Sequence, residues 1–381
     1  MFSIEEKNRR LQAAASFMEK AGLDALYIPG NNTVGPNAYG YYRYFADNRV
    51  FFSVSNLVLL RTGEPVSVVS SLMAKSNLVG NSFISDAVID ADQLGGAIKI
   101  LKSHGITGGR VGTLLEVMPA SWLIRLEKEL PGVDFVDVSR ELYSIRTAKS
   151  AEEAEAQRVC ASIADAGFKA ICDTVKPGMY ENEIIAEMDR AMQELGAEES
   201  FALITSGKFS IEDNGLPTLH NHTALNRKVQ KGDVIALEIT PRYCGYWAQI
   251  VRTICLGEEN ADAETLRRVV VGAIGEAKEI MKAGIPVSAL VRRMREYTER
   301  AGYGFEMPCG HIAAVDLNEE RLTEDNTREL EPGMLVILHP TVVAGSARSN
   351  IYWGESYIIT DGGYEETTKS GSALFTSKQF S

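Results

Sequence analysis

The chain has 381 residues, 45% of them apolar, with 39 Lys and Arg against 51 Asp and Glu for a formal net charge of −12. That length exceeds one common-sized core and suits two domains, and the acidic balance argues against nucleic acid or an anionic membrane as a partner. The opening Met1-Phe-Ser-Ile-Glu-Glu-Lys7 carries no apolar signal-peptide core, no apolar run reaches the ~18 residues of a membrane span, and Cys160, Cys172, Cys244, Cys255 and Cys309 form no CxxC pair, so the expectation is a cytoplasmic protein with reduced thiols.

Leu11, Phe17, Met18 and Leu23 recur near a three-to-four spacing and predict a helix over the first ~20 residues. Ala25–Pro29 reads as a buried strand stopped by Pro29-Gly30. Val50–Val54, Leu57–Leu60 and Val66–Val69 are further strand candidates, with Thr62-Gly63-Glu64 as a turn. Val88–Ile100 is expected to start as an acidic loop and continue as a helix. Arg110–Leu115 then reads as a strand and Trp122–Leu130 as a helix ending near Pro131-Gly132. This alternation predicts an α/β domain over residues 1–148. Ser150-Ala-Glu-Glu153 has the pattern of a capping box, opening a helix to about Thr174 and a second domain over residues 149–381.

The second domain contains a repeat. Val175-Lys-Pro-Gly178, Met188 and Leu195-Gly196 match Met281-Lys-Ala-Gly284, Met294 and Ala301-Gly302, each at an offset of 106. Each half reads as helix, turn, amphipathic helix, Gly stop and strands, which predicts two pseudo-symmetric halves with a site between them. Asp233–Ile239, Trp247–Leu256, Met334–Pro340 and Ser356–Thr360 are its strand candidates. Of the five histidines only His104 lies outside this half. His220 and His222 are two apart, which on an extended segment directs both to one side. His311 follows Gly310, and His339 closes an apolar run.

The segment Lys231-Gly-Asp-Val-Ile-Ala-Leu-Glu238-Ile, then Gly245-Tyr246, then Gln249-Ile-Val-Arg252-Thr253, resembles the ligand hairpin of the creatinase / aminopeptidase P / prolidase family, with the spacing of eleven kept between positions 238 and 249. Cys309-Gly-His311 resembles the family's Gly-His motif. Glu331-Pro-Gly-Met-Leu-Val-Ile-Leu-His339-Pro340 resembles its Glu-Pro-Gly-Met segment, Gly354-Glu355-Ser-Tyr-Ile-Ile-Thr360 its closing Glu-Asp-Thr strand, and Arg146-x-x-Lys149-Ser150-x-x-Glu153 its domain junction. The resemblance covers nearly the whole chain in the right order. It implies an α/β (α+β) protein with a creatinase-type N-terminal domain ahead of a pseudo-symmetric pita-bread domain.

By the same resemblance, the family's Asp, Asp, His, Glu, Glu set around two divalent ions falls here on Glu238, Gln249, His311, His339 and Glu355. Two carboxylates cannot compensate two dications, and a neutral amide does not bridge them, so a two-metal cluster is not expected. Two arrangements stay open. One is a single Zn, Fe or Mn ion held by His311, His339, Glu355 and Glu238. The other is a metal-free pocket like that of the family's creatinase branch, with His220 or His222 as the acid/base. That branch's two substrate-gripping Glu positions fall on Val251 and His339. The implied activity is hydrolysis of a C–N (amide or amidine) bond in a small molecule or short peptide. An Xaa-Pro peptidase, an inactive ligand-binding homologue and a lyase are the alternatives. Arg252 and Thr253 are read as stabilising the hairpin. The resemblance further implies a homodimer, with the aromatic stretch Tyr39–Phe45 as a loop closing over the partner's site.

Overall fold

The computed structural model describes residues 2–30, 40–49, 55–212, 227–346 and 348–371, and the backbone alone of 220–221 and 375–376. The chain divides into two compact units, residues 1–152 and 153–381.

The first unit runs α1 (Ile4–Ala21), β1 (Ala25–Gly30), α2 (Gly40–Ala46), β2 (Ser55–Leu60), β3 (Val66–Val69), α3 (Leu72–Leu78), β4 (Ala87–Ile89), α4 (Gln93–Ser103), β5 (Gly109–Thr113), α5 (Ala120–Glu129), β6 (Val133–Asp137) and α6 (Ser144–Thr147). Ser3 caps α1 by accepting the Glu6 N–H, and Gly22 closes it at φ 65°, a left-handed turn that glycine adopts without strain. The sheet order is β4-β3-β2-β1-β5-β6. Tyr27, Val58, Val68 and Val111 meet Leu94, Ala97, Ile98 and Leu101 of α4 and Leu126 of α5 in its core.

Two expectations for this unit are corrected. Val88 and Ile89 belong to β4 rather than to a loop, because β4 pairs in parallel with β3. The part of Tyr39–Phe45 that is described forms α2 and not a projecting loop. Tyr42, Tyr44 and Phe45 are buried within their own unit, and the Tyr42 hydroxyl meets that of Ser67 at 2.9 Å. Aromatic residues in a short helix bury as readily against their own sheet as against a partner. Tyr39 and Val50–Val54 lie outside the described residues.

The second unit contains most of α7 (Ala151–Thr174), then α8 (Glu181–Glu194), β7 (Glu199–Gly207), β8 (His220–Asn221), β9 (Val234–Tyr243), β10 (Tyr246–Trp247), β11 (Ile250–Cys255), α9 (Ala261–Lys278), α10 (Val287–Arg300), β12 (Gly304–Glu306), β13 (Gly310–Ala313), β14 (Glu320–Arg321), β15 (Leu335–Leu338), β16 (Thr341–Val343), β17 (Glu355–Thr360), β18 (Gly363–Glu366) and β19 (Phe375–Thr376). The repeat is visible in its geometry: α8 and α10 are each 14 residues long, and each follows a longer helix across a turn. The α7–α8 pair packs on Ile204, Ile235, Leu237, Ile239, Ile250 and Ile254. The α9–α10 pair packs on Ile312, Val336, Leu338, Tyr357 and Ile359. Among the described residues no helix is long and apolar enough to cross a membrane.

The sheets of this unit run β19-β11-β9-β7-β8 and β14-β13-β15-β17-β18. A bridge joins them: Val251 N–H donates to the Gly354 carbonyl at 3.1 Å, and Gly354 N–H to the Val251 carbonyl at 2.9 Å. That junction brings the two halves of the repeat together.

Candidate functional site

The site is built by strand alternation at this junction. Glu238 and Thr240 are two apart on β9 and share a face. Glu238 is paired with Val251 on β11, and Val251 with Gly354, so their row crosses from one sheet to the other. On the second sheet His311, Ile337 and Ser356 form a row across β13, β15 and β17. His339 follows β15 two residues after Ile337 and turns its ring to His311, with ring centroids 5.4 Å apart.

Gln249 ties the two sheets. Its amide nitrogen donates to the Thr240 hydroxyl at 3.0 Å, and its amide oxygen faces His311 Nε2 at 3.2 Å. The Gln249 amide therefore bridges Thr240 on one sheet and His311 on the other. His311 Nδ1 is buried, with no hydrogen-bond partner among the described residues. The Ser356 hydroxyl donates to the Gln249 carbonyl at 2.6 Å.

Burial sets the charges. It lowers the His311 pKa to about 3, with help from the neighbouring His339, while the carbonyls of Ile312 and Leu317 near the ring pull the other way. Burial also lowers His339 to about 4. Both rings are therefore neutral at pH 7. The Glu238 carboxyl is pushed up to about 7 by desolvation alone, and among the described residues no side chain hydrogen-bonds or ion-pairs with it. A half-buried carboxyl without a counter-charge, titrating near neutrality, is suited to taking and returning a proton.

The structure brings Glu238, Gln249, His311 and His339 together. It does not bring Glu355 to them. Glu355 precedes Ser356 on β17, so its side chain leaves the opposite face, beside Leu338 and Tyr357. There its Oε1 accepts from Arg252 Nη2 at 2.9 Å and its Oε2 accepts from the Thr368 hydroxyl. The residue opposite Val251 and against His339 is Gly354, which carries no side chain. A one-residue difference along a strand exchanges its two faces, which is why the sequence pattern assigned Glu355 to the group. Consequently the single-ion set of His311, His339, Glu355 and Glu238 is not assembled. Among the described residues no three His, Cys, Asp or Glu side chains are placed to hold a metal ion.

For the expected acid/base pair, the backbone of His220 pairs with Ile204 on β7, and it is Asn221 that shares the row of Leu203 and Glu238. His222 lies outside the described residues. Thr240 and Ser356 were not foreseen. Their signal was their place, two residues after Glu238 and next to Glu355. Arg252 has the structural role expected of it, donating to the carbonyls of Val251 at 2.9 Å and Gly354 at 2.6 Å.

Residues 155–361 match the model of metallopeptidase family M24, and residues 10–148 match that of the creatinase/prolidase N-terminal domain. The chain is 26% identical to a creatinase of Bacillus sp. (strain B-0618), across 97% of this chain and 92% of that protein. It is 25% identical to an Xaa-Pro dipeptidase of Pyrococcus horikoshii, across 95% and 97% respectively. Among solved structures, an X-Pro aminopeptidase from Thermotoga maritima superposes with a TM-score of 0.84 at 20% identity, covering 96% of this chain and 99% of that one. With its pita-bread domain behind a creatinase-type domain, the chain belongs to the hydrolases of metallopeptidase family M24.

Proposed function

We propose that the chain hydrolyses a C–N bond, amide or amidine, of a small molecule or short peptide, using a carboxylate and imidazoles in place of a two-metal cluster. The observation that carries this reading is the Glu238 carboxyl, raised to about 7 with no counter-charge, on the same face as the neutral His311–His339 pair.

The donor set does not fit two divalent ions. Glu238 is its one carboxylate, Gln249 is a neutral amide held by Thr240, and position 354 has no side chain. Four positive charges in a half-buried site would stand against one negative charge. A single ion is also poorly served, because His311 Nε2 is engaged by Gln249 and Glu355 by Arg252. No step is therefore routed through a metal.

In the proposed reaction the Glu238 carboxylate takes a proton from water as the water oxygen bonds to the carbonyl or amidine carbon. The tetrahedral intermediate collapses as Glu238 returns that proton to the departing nitrogen. The C–N bond breaks, and a carboxylic acid (or, from an amidine, the corresponding amide) and an amine leave. In this reading the His339 ring, neutral and half-buried, hydrogen-bonds the developing oxyanion or anionic nitrogen.

The test is metal analysis of protein purified without chelator, together with turnover of a panel of amides, amidines and Xaa-Pro dipeptides with and without chelator. Chelator-resistant turnover by metal-poor protein is expected. Two bound ions per chain and turnover abolished by chelator would replace this reading with a two-metal Xaa-Pro dipeptidase.

A further inference from the structure

A cavity of about 490 Å³ lies on the other face of β17, between α9 and the β17–β18 hairpin. Val271, Ile274 and Gly275 of α9 form one wall, and Trp353, Tyr357 and Lys369 face them. It is separate from the group around His311, because Tyr357 and Glu355 leave β17 on the face opposite Ser356.

The carboxylates of this cavity are already engaged. Glu355 is held by Arg252 and Thr368, and Glu366 by Lys278. Two polar groups are not. Tyr357 is 2% exposed, yet its hydroxyl has no hydrogen-bond partner among the described residues. The Lys369 ammonium is exposed, and among the described residues no carboxylate lies within ion-pairing distance of it. Both uncommitted groups are donors, and the surface between them is aromatic and aliphatic.

We propose that this cavity is a second ligand site, for a small carboxylate with an apolar body. Its carboxylate accepts from Tyr357 and Lys369, and its body lies on Trp353, Val271 and Ile274. The volume suits a molecule of amino-acid or dipeptide size. Gly275 marks the seat of the body, since a Cβ built there meets nothing within 4 Å and a side chain at this position would enter the cavity without displacing protein.

The test is calorimetric titration of the full chain with 3-phenylpropionate, and with 3-phenylpropanol as the carboxylate-free control. Saturable binding of the acid is expected, with the alcohol at least roughly tenfold weaker. Tyr357→Phe should weaken the acid roughly tenfold. Gly275→Leu should abolish binding while melting within a few degrees of the parent. Glu238→Gln, on the other face, should bind as the parent does. No saturable binding, equal binding of acid and alcohol, binding that survives Gly275→Leu, or binding lost in Glu238→Gln would each overturn the proposal. If Gly275→Leu fails to fold, Tyr357→Phe decides alone: unchanged affinity in that variant overturns it.

Discussion

A Cβ placed on Gly354 would sit 2.6 Å from the Cβ of His339 and 2.8 Å from the carbonyl oxygen of Leu338. The side chain of residue 339 therefore occupies the space that a side chain on residue 354 would need. Gly354→Ala should cost about 1–3 kcal/mol, as overpacking of a tight interior does. Gly354→Glu should bind no additional metal, since the new carboxylate has no room beside His339. Urea denaturation and elemental analysis check both. A Gly354→Ala variant as stable as the parent would show that the junction yields more easily than its spacing implies.

Glu238→Gln should reduce turnover by a factor of ~10²–10⁴, the range for loss of a proton-transfer group. In the parent, activity should rise with pH through about 7 as the carboxyl ionises into its basic form. Stability moves the other way. The folded pKa lies above the ordinary carboxyl value of 4.5, so between about 4.5 and 7 the folded state holds a proton that the unfolded state has released. Ionisation of Glu238 thus costs stability as pH rises through about 7. The Gln variant should be more stable than the parent at pH 8, by about 1–3 kcal/mol, with the gain fading toward pH 4.5. A variant less stable at pH 8 would show that the charged carboxylate is compensated.

The His311–His339 pair has the opposite linkage. Both folded pKa values lie below the ordinary 6.5, at about 3 and about 4. As pH falls below 6.5 the unfolded chain gains protons that the folded chain refuses, and stability is lost progressively toward pH 3–4. His339→Asn should therefore flatten the acid limb of the stability profile relative to the parent. Denaturant midpoints between pH 4 and 7 provide the measurement. Parallel profiles would mean that His339 already takes up its proton in the folded state.

His311→Ala should abolish turnover without unfolding the protein, and it should free Gln249 from one of its two side-chain hydrogen bonds. The readout is paired: melting temperature and turnover per folded molecule on the same sample. Early melting with normal turnover would place His311 in the core alone.

The elements that carried strong local signals were legible in the sequence. Ser3 and Gly22 punctuate α1, and the 106-residue repeat reappears as two 14-residue helices, α8 and α10. Glu238, Gln249 and His311 were named by the family resemblance, which fixes positions along a chain but not the faces they occupy. Strand register was not legible. Gly354 and Glu355 differ by one residue, and only the bridge to Val251 determines which of them meets His339. The hydrophobic pattern there is no guide, since Tyr357, Ile358 and Ile359 are apolar on both faces. Helix α2 was missed because seven residues rich in Tyr carry no helical period distinct from that of a strand or loop.

The Arg252–Glu355 pair separates a structural from a catalytic carboxylate. Arg252 is fully buried, stacks on Trp353 with its guanidinium carbon 4.6 Å from the ring centre, and holds the carbonyls of both bridge residues, Val251 and Gly354. Glu355 neutralises it from the face of β17 that looks away from His311. Removing one partner of such a pair leaves a buried charge uncompensated, at a cost of about 3–5 kcal/mol. Glu355→Gln should approach that cost, because it keeps the shape and removes the charge. Turnover per folded molecule should stay within about twofold of the parent, since no atom of Glu355 faces Glu238 or His311. Arg252→Met should cost as much stability and should also lower turnover, because Gly354 loses the guanidinium that fixes its carbonyl beside His339. Denaturation curves give the first quantity and active-fraction-corrected rates the second. If Glu355→Gln instead loses turnover by a hundredfold while remaining folded, Glu355 belongs to the reacting group and the strand assignment at Gly354 is wrong.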